Sequence, residues 1–164
     1  MNRSELESTV TQTLDQTMSA ANVCDLTMDS RDRPRIGVDV VDVRRIRAAL
    51  ERWQVRFTDR FFTADERQYC SGGLHAGRRY AGIFAAKEAV YKALGLSWDR
   101  AFSWKWIEIV HGPNRAPIVV LADPLKAAWP FVEAQAVSVS VSHLNEIAVA
   151  TAVASQADGE ITTS

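Results

Sequence analysis

Two periods of apolar residues alternate along the chain, and the switches between them outline its elements. Arg35–Val41 (RIGVDVV) is a β-branched run that reads as a strand. Asp42 then stands where an N-cap belongs, and Val43, Ile46, Ala49 and Leu50 return at helical spacing as far as Trp53. Thr63-Ala-Asp-Glu66 has the form of a capping box, opening a short helix that stops at Gly72-Gly73. A longer helix is predicted from Ala76 to Leu94, with Gly95 as its C-terminal stop. The period shortens to two in Trp104–Val110 and again in Ile118–Ala122, and the turn HGPNRAP joins them as a hairpin. Asp123-Pro124 reads as an N-cap with proline at the first helical position, opening a helix to Phe131. Ala136–His143 and Ile147–Ala154 form a second hairpin around Asn145-Glu146. Strand, three helices, hairpin, helix, hairpin is the order of an α+β fold: a mainly antiparallel sheet packed with helices in a single domain.

Composition sets the limits of that domain. The chain has 164 residues, and the patterned body occupies 35–154 of them. Residues 1–34 contain no aromatic side chain, so this N-terminal extension lacks the bulky groups that would offset its own ordering entropy. Only Leu6, Val10, Leu14 and Met18, at i, i+4 spacing, give it the makings of a short docked helix. Residues 155–164 read as a polar tail. The formal net charge is −1, which argues against a dedicated nucleic-acid binder. No apolar run approaches the ~18 residues of a membrane span, and the N-terminus lacks the charged cap and apolar core of a secretory signal. Cys24 and Cys70 form neither a metal spacing nor a disulfide framework, as expected of a cytoplasmic protein.

Four features carry candidate chemistry. Asp39 lies inside an apolar strand, where an ionised carboxylate needs a partner: a hydrogen bond, a cation from the protein, or a hard metal ion. Glu88 and Lys92 have the spacing of an ordinary helix-surface ion pair, and Lys87 adds a second cation beside them. His143 ends the run VSVSVSH, in which valines face one way and serines the other. Between residues 42 and 60, six arginines (44, 45, 47, 52, 56 and 60) stand against three acids, a basic concentration in a neutral chain that suits an acidic partner.

Together these residues resemble the holo-acyl-carrier-protein synthase group of 4'-phosphopantetheinyl transferases. Gly37-Val-Asp39 running into Val43-Arg44-Arg45-Ile46 is similar to the family's G-x-D followed by an arginine-bearing helix. Phe84-Ala-Ala-Lys87-Glu88-Ala-Val-Tyr-Lys92-Ala93 matches F-A-A-K-E-A-x-x-K-A, and Ser140-Val-Ser142-His143 matches the closing S-x-[ST]-H. The resemblance implies transfer of phosphopantetheine from coenzyme A to a carrier-protein serine, with adenosine 3',5'-bisphosphate released. It implies Asp39 and Glu88 as ligands of magnesium, with Lys92 acting on the pyrophosphate. Coenzyme contacts would come from Lys87, Lys92, His143 and Arg79, and docking of an acidic acyl or peptidyl carrier protein from Arg44, Arg45 and Arg52. It further implies a homotrimer with sites between subunits, and carriers of fatty-acid, polyketide or peptide pathways.

The match has two gaps. The arginine that commonly precedes F-A-A-K-E-A is Ile83, and the common G-K-P hairpin is Arg115-Ala116-Pro117. Two readings follow: an active transferase whose missing charge is supplied by Arg78 or Arg79, or a weakened homologue that binds carriers without modifying them.

Overall fold

The stretch Ala76–Leu94 forms a helix buried along two of its sides, and the other elements are arranged around it. This is seen in a computed structural model that describes residues 33–73, 75–97, 102–112 and 114–157. In chain order the elements are β1 (Arg35–Asp42), α1 (Val43–Phe61), α2 (Ala64–Cys70), α3 (Ala76–Leu94), β2 (Ile107–His111), β3 (Pro117–Leu121), α4 (Asp123–Ala128), β4 (Gln135–His143) and β5 (Ile147–Gln156). The strands make a three-stranded sheet in the order β1-β5-β4 and a separate β2-β3 hairpin, antiparallel throughout. The α+β architecture expected from the patterning is therefore present. The expected helix around Leu6–Met18 lies outside the described residues, while β5 runs through Gln156, two residues into the expected tail.

Small residues let the sheet lie directly on α3. The inward positions of β5 are Ala148, Ala150, Ala152 and Ala154, all buried. At Gly37 of β1 a Cβ would fall 2.0 Å from the Ala89 carbonyl oxygen and 2.6 Å from the Ala93 nitrogen, so only glycine permits this approach. The helix ends at Gly95, whose φ of 66° is the left-handed cap that its sequence predicted. The capping box at Thr63 is also formed: the Glu66 amide donates to Oγ1 of Thr63, and the Thr63 amide donates to the Glu66 carboxylate at 2.9 Å.

Three local expectations are corrected. The helix predicted to end at Trp53 does break there, at Gln54 (φ 43°, ψ −122°), but a second segment continues to Phe61 and buries Phe57 against Phe62. Trp104–Trp106 is a 3-10 turn and not strand, because the Trp104 ring packs among Tyr91, Phe84 and Phe102. Asp123 is the first helical residue of α4, not its cap; Ala122 holds the cap position without a side-chain bond, and α4 stops at Ala128.

Candidate active site

Alternation along β1 turns Gly37, Asp39 and Val41 inward toward α3. The close contact at Gly37 thus delivers the Asp39 carboxylate to the outer edge of α3, where Glu88 and Lys92 project. Lys92 Nζ donates to Asp39 Oδ1 at 2.8 Å and to the Val38 carbonyl oxygen at 3.0 Å. The surface pair that spacing alone suggested, Glu88 with Lys92, is replaced by this cross-element pair with Asp39. The other oxygen, Asp39 Oδ2, is buried and has no hydrogen-bond partner among the described residues. Glu88 is half-buried, and burial pushes its carboxyl up to about 7; the charge of the neighbouring Asp39 pushes the same way, against Lys92 and Arg45.

Two carboxylates this close, one with an orphaned oxygen, repel each other in a way that a hard cation relieves. The residues fit magnesium, which takes one or two protein carboxylates and completes its shell with phosphate and water oxygens. No group of three or more His, Cys, Asp or Glu placed to hold a metal occurs among the described residues, so this chain would offer the ion two carboxylates at most.

The acids open on a cleft of about 680 Å³ between α1 and α3. Arg45 and Arg52 line it with Ile46, Ala49, Trp53 and Phe84, so its wall is both cationic and apolar. Arg44 is not part of that lining: it is exposed, and its guanidinium pairs with Asp42, the α1 N-cap, at 2.9 Å.

Arg79 and His143 are not brought to the acids within one chain. Both line a second, smaller cavity of about 160 Å³, with Ile83 in its wall. Arg79 and Glu88 are nine residues apart on α3, about two and a half turns, and so project from opposite sides of it. In the sheet, Asp39 pairs with Ala150, and Ala150 with Val141, which leaves His143 on the far edge strand.

Residues 35–152 match the family model of the 4'-phosphopantetheinyl transferase superfamily. The chain belongs to that superfamily. A holo-[acyl-carrier-protein] synthase of Desulforudis audaxviator is 42% identical over 119 residues, which cover 73% of this chain and 90% of the relative. A crystal structure of the Helicobacter pylori synthase in complex with coenzyme A superposes with a TM-score of 0.64 at 32% identity, covering 73% of this chain and 99% of that one. The Neisseria meningitidis synthase gives 0.67 at 28% identity, over 74% and 98% of the two chains. Within the superfamily this transferase is of the holo-[acyl-carrier-protein] synthase type, and it is an enzyme.

One residue of the transferase motif has a different place from the one the resemblance implied. Lys87 was expected among the coenzyme contacts, but its side chain is 1% exposed and lies 2.7 Å from the Glu66 carboxylate. Its Nζ also donates to the carbonyl oxygens of Phe61 and Trp104, at 2.9 and 3.0 Å. All its donors are thereby used inside the protein, because an ammonium taken out of water must be fully paired. Glu66, which sequence reasoning read only as a capping residue, accepts from Lys87, Thr63 and the Ile109 amide. The signal was present: Lys87 shares the stripe of Tyr80, Ile83, Val90 and Leu94, and a lysine on a buried stripe demands an acid.

Proposed function

We propose that this enzyme transfers the 4'-phosphopantetheine group of coenzyme A to a serine of an apo acyl (or peptidyl) carrier protein and releases adenosine 3',5'-bisphosphate. The observation that carries the reading is that Asp39 and Glu88 face the same cleft as neighbouring acids, with Asp39 Oδ2 buried and unpartnered. The serine hydroxyl attacks the phosphorus next to pantetheine, the pyrophosphate P–O bond breaks, and the bisphosphate departs with the negative charge. Asp39 and Glu88 would hold magnesium, which when bound neutralises charge on the pyrophosphate oxygens. Lys92, half exposed and anchored on Asp39, presents a cation to the same oxygens. In this reading the serine proton goes to Glu88 or to a water beside the acid pair.

The carrier docks on α1. Arg45 and Arg52 offer charge to an acidic helix, and the half-exposed Trp53 beside them adds apolar area; Arg44 extends the basic surface once it exchanges Asp42 for a carrier acid. The second cavity, with Arg79 and His143, receives coenzyme from a neighbouring copy's acid pair. A homotrimer with sites between subunits is supported by the opposite orientation of Arg79 and Glu88. It is also supported by the outward face of β1, where Ile36, Val38 and Val40 are 68%, 50% and 62% exposed. A strand apolar on both faces is built to be covered on both. The reading places the enzyme in the cytoplasm; no helix among the described residues is long and apolar enough to cross a membrane.

Ile83, where the family commonly has arginine, favours a second reading in which the protein binds carriers without modifying them. Mass spectrometry decides between the two. Apo carriers from fatty-acid, polyketide and peptide pathways, incubated with the enzyme, coenzyme A and magnesium, are expected to gain one phosphopantetheine in at least one case. Measurable carrier binding with no gain on any of them overturns the transferase.

A further inference from the structure

Of the two oxygens of the Asp39 carboxylate, one is held and the other is left alone. Lys92 Nζ donates to Asp39 Oδ1 at 2.8 Å and to the Val38 carbonyl oxygen at 3.0 Å. Both acceptors belong to successive residues of β1, so the lysine reaches from α3 and grips the strand where the acid projects. Asp39 Oδ2 is buried and has no hydrogen-bond partner among the described residues. The Asp39 side chain is 10% exposed and that of Lys92 is 50% exposed, which keeps the carboxylate inside and the cation at the rim.

This asymmetry has a cause in Lys92. A free carboxylate exchanges its two oxygens by rotation about the last side-chain bond, and the bond to Lys92 removes that equivalence. Helical spacing offered the lysine a different acid, Glu88 one turn earlier, yet its ion pair is with Asp39. An ammonium has three protons to donate. Lys92 uses two of them on β1 and keeps one for a ligand in the cleft. Lys87, on the buried side of the same helix, uses all three inside the protein.

Coordination chemistry gives the asymmetry a consequence. Calcium takes about six to eight oxygens at ~2.3–2.6 Å and accepts a carboxylate through one oxygen or both. Magnesium requires a near-octahedral shell at ~2.0–2.1 Å and fills most of it with water and phosphate. A carboxylate restricted to one oxygen costs magnesium little and denies calcium a ligand.

We propose that Lys92 is a positioning residue for the metal: by holding Asp39 Oδ1 it leaves Oδ2 as the single oxygen offered, and so favours magnesium over calcium. This rests on the transferase reading, which puts a divalent ion at the acid pair. Lys92 then has a task before any coenzyme arrives, in addition to meeting the pyrophosphate with its remaining proton.

Lys92→Met keeps the aliphatic stem and removes the bond to Asp39. Loss of a positive charge strengthens binding of any cation, so the informative quantity is the ratio of two affinities. Calorimetry on the full chain without coenzyme A titrates magnesium chloride and calcium chloride in turn. Wild type is expected to prefer magnesium. In Lys92→Met the ratio shifts toward calcium by about ten-fold, the order of one contact to a charged group. Lys92→Arg keeps the charge and a donor for Oδ1, and retains part of the wild-type ratio. Lys92→Gln, too short to hold Asp39 in the same way, carries the test if the methionine variant does not fold. A lysine that served only the fold would alter Tm and both affinities together and leave the ratio unmoved.

A wild-type ratio in Lys92→Met overturns the proposal, and so does a Lys92→Arg variant that matches Lys92→Met. Wild type that prefers calcium, or that binds neither metal, overturns it as well. A chain that modifies carriers while Lys92→Met keeps the metal ratio would sink this role and leave the transferase standing. A chain that modifies no carrier yet shows the shift does the reverse.

Discussion

Glu88 is held in a position that a free carboxylate would avoid, half out of water and against a second acid. Its carboxyl is raised from the ordinary value of 4.5 to about 7, so between those values the folded chain holds a proton that the unfolded chain has released. Stability must therefore fall as pH rises through that window. Thermal melts in chelator are expected to show wild type losing Tm between pH 4.5 and 7 relative to Glu88→Gln, with the two coinciding below that range. The same variant loses transferase turnover, and magnesium restores Tm at pH 7 to wild type only. Parallel Tm profiles for the two proteins would remove the acid pair. An acid within RIGVDVV was visible as an anomaly in the sequence; its orphaned oxygen was not, because that depends on how β1 lies across α3. The glycine two residues earlier sets that crossing, through contacts with Ala89 and Ala93 some fifty positions away.

At the scale of elements, the buried Lys87–Glu66 pair ties α2, α3 and β2 together and so fixes the helix that carries Glu88. Lys87→Met leaves Glu66 buried without its cation and is expected to cost about 3–5 kcal/mol in urea unfolding. Glu66→Gln combined with Lys87→Met should recover most of that loss; a double variant no more stable than Lys87→Met would mean that the lysine acts by packing alone. Elements whose ends are fixed by local chemistry were legible: the Thr63–Glu66 box, the Gly95 stop and the alternating β4. Those fixed by distant packing were not. Trp104–Trp106 alternates like a strand but is turned by a cluster of rings from α3, and the continuation of α1 past Gln54 depends on Phe57 finding Phe62. The motif that made the family recognisable also hid the role of Lys87, whose partner belongs to another helix.

For the molecule as a whole, the separation of Arg79 and His143 from Asp39 and Glu88 by the width of α3 has a genetic consequence. If each working centre borrows from a neighbour, two inactive proteins can repair one another. Asp39→Ala and His143→Ala, each expected to be nearly silent alone, should regain activity when unfolded and refolded together. Some mixed assemblies would then contain a junction with both damaged halves and another with both sound ones. Co-refolded mixtures no more active than their separate components would mean that each chain works alone. Recovery would make inheritance of this enzyme partly forgiving: a cell with two differently broken copies would still make some of the product.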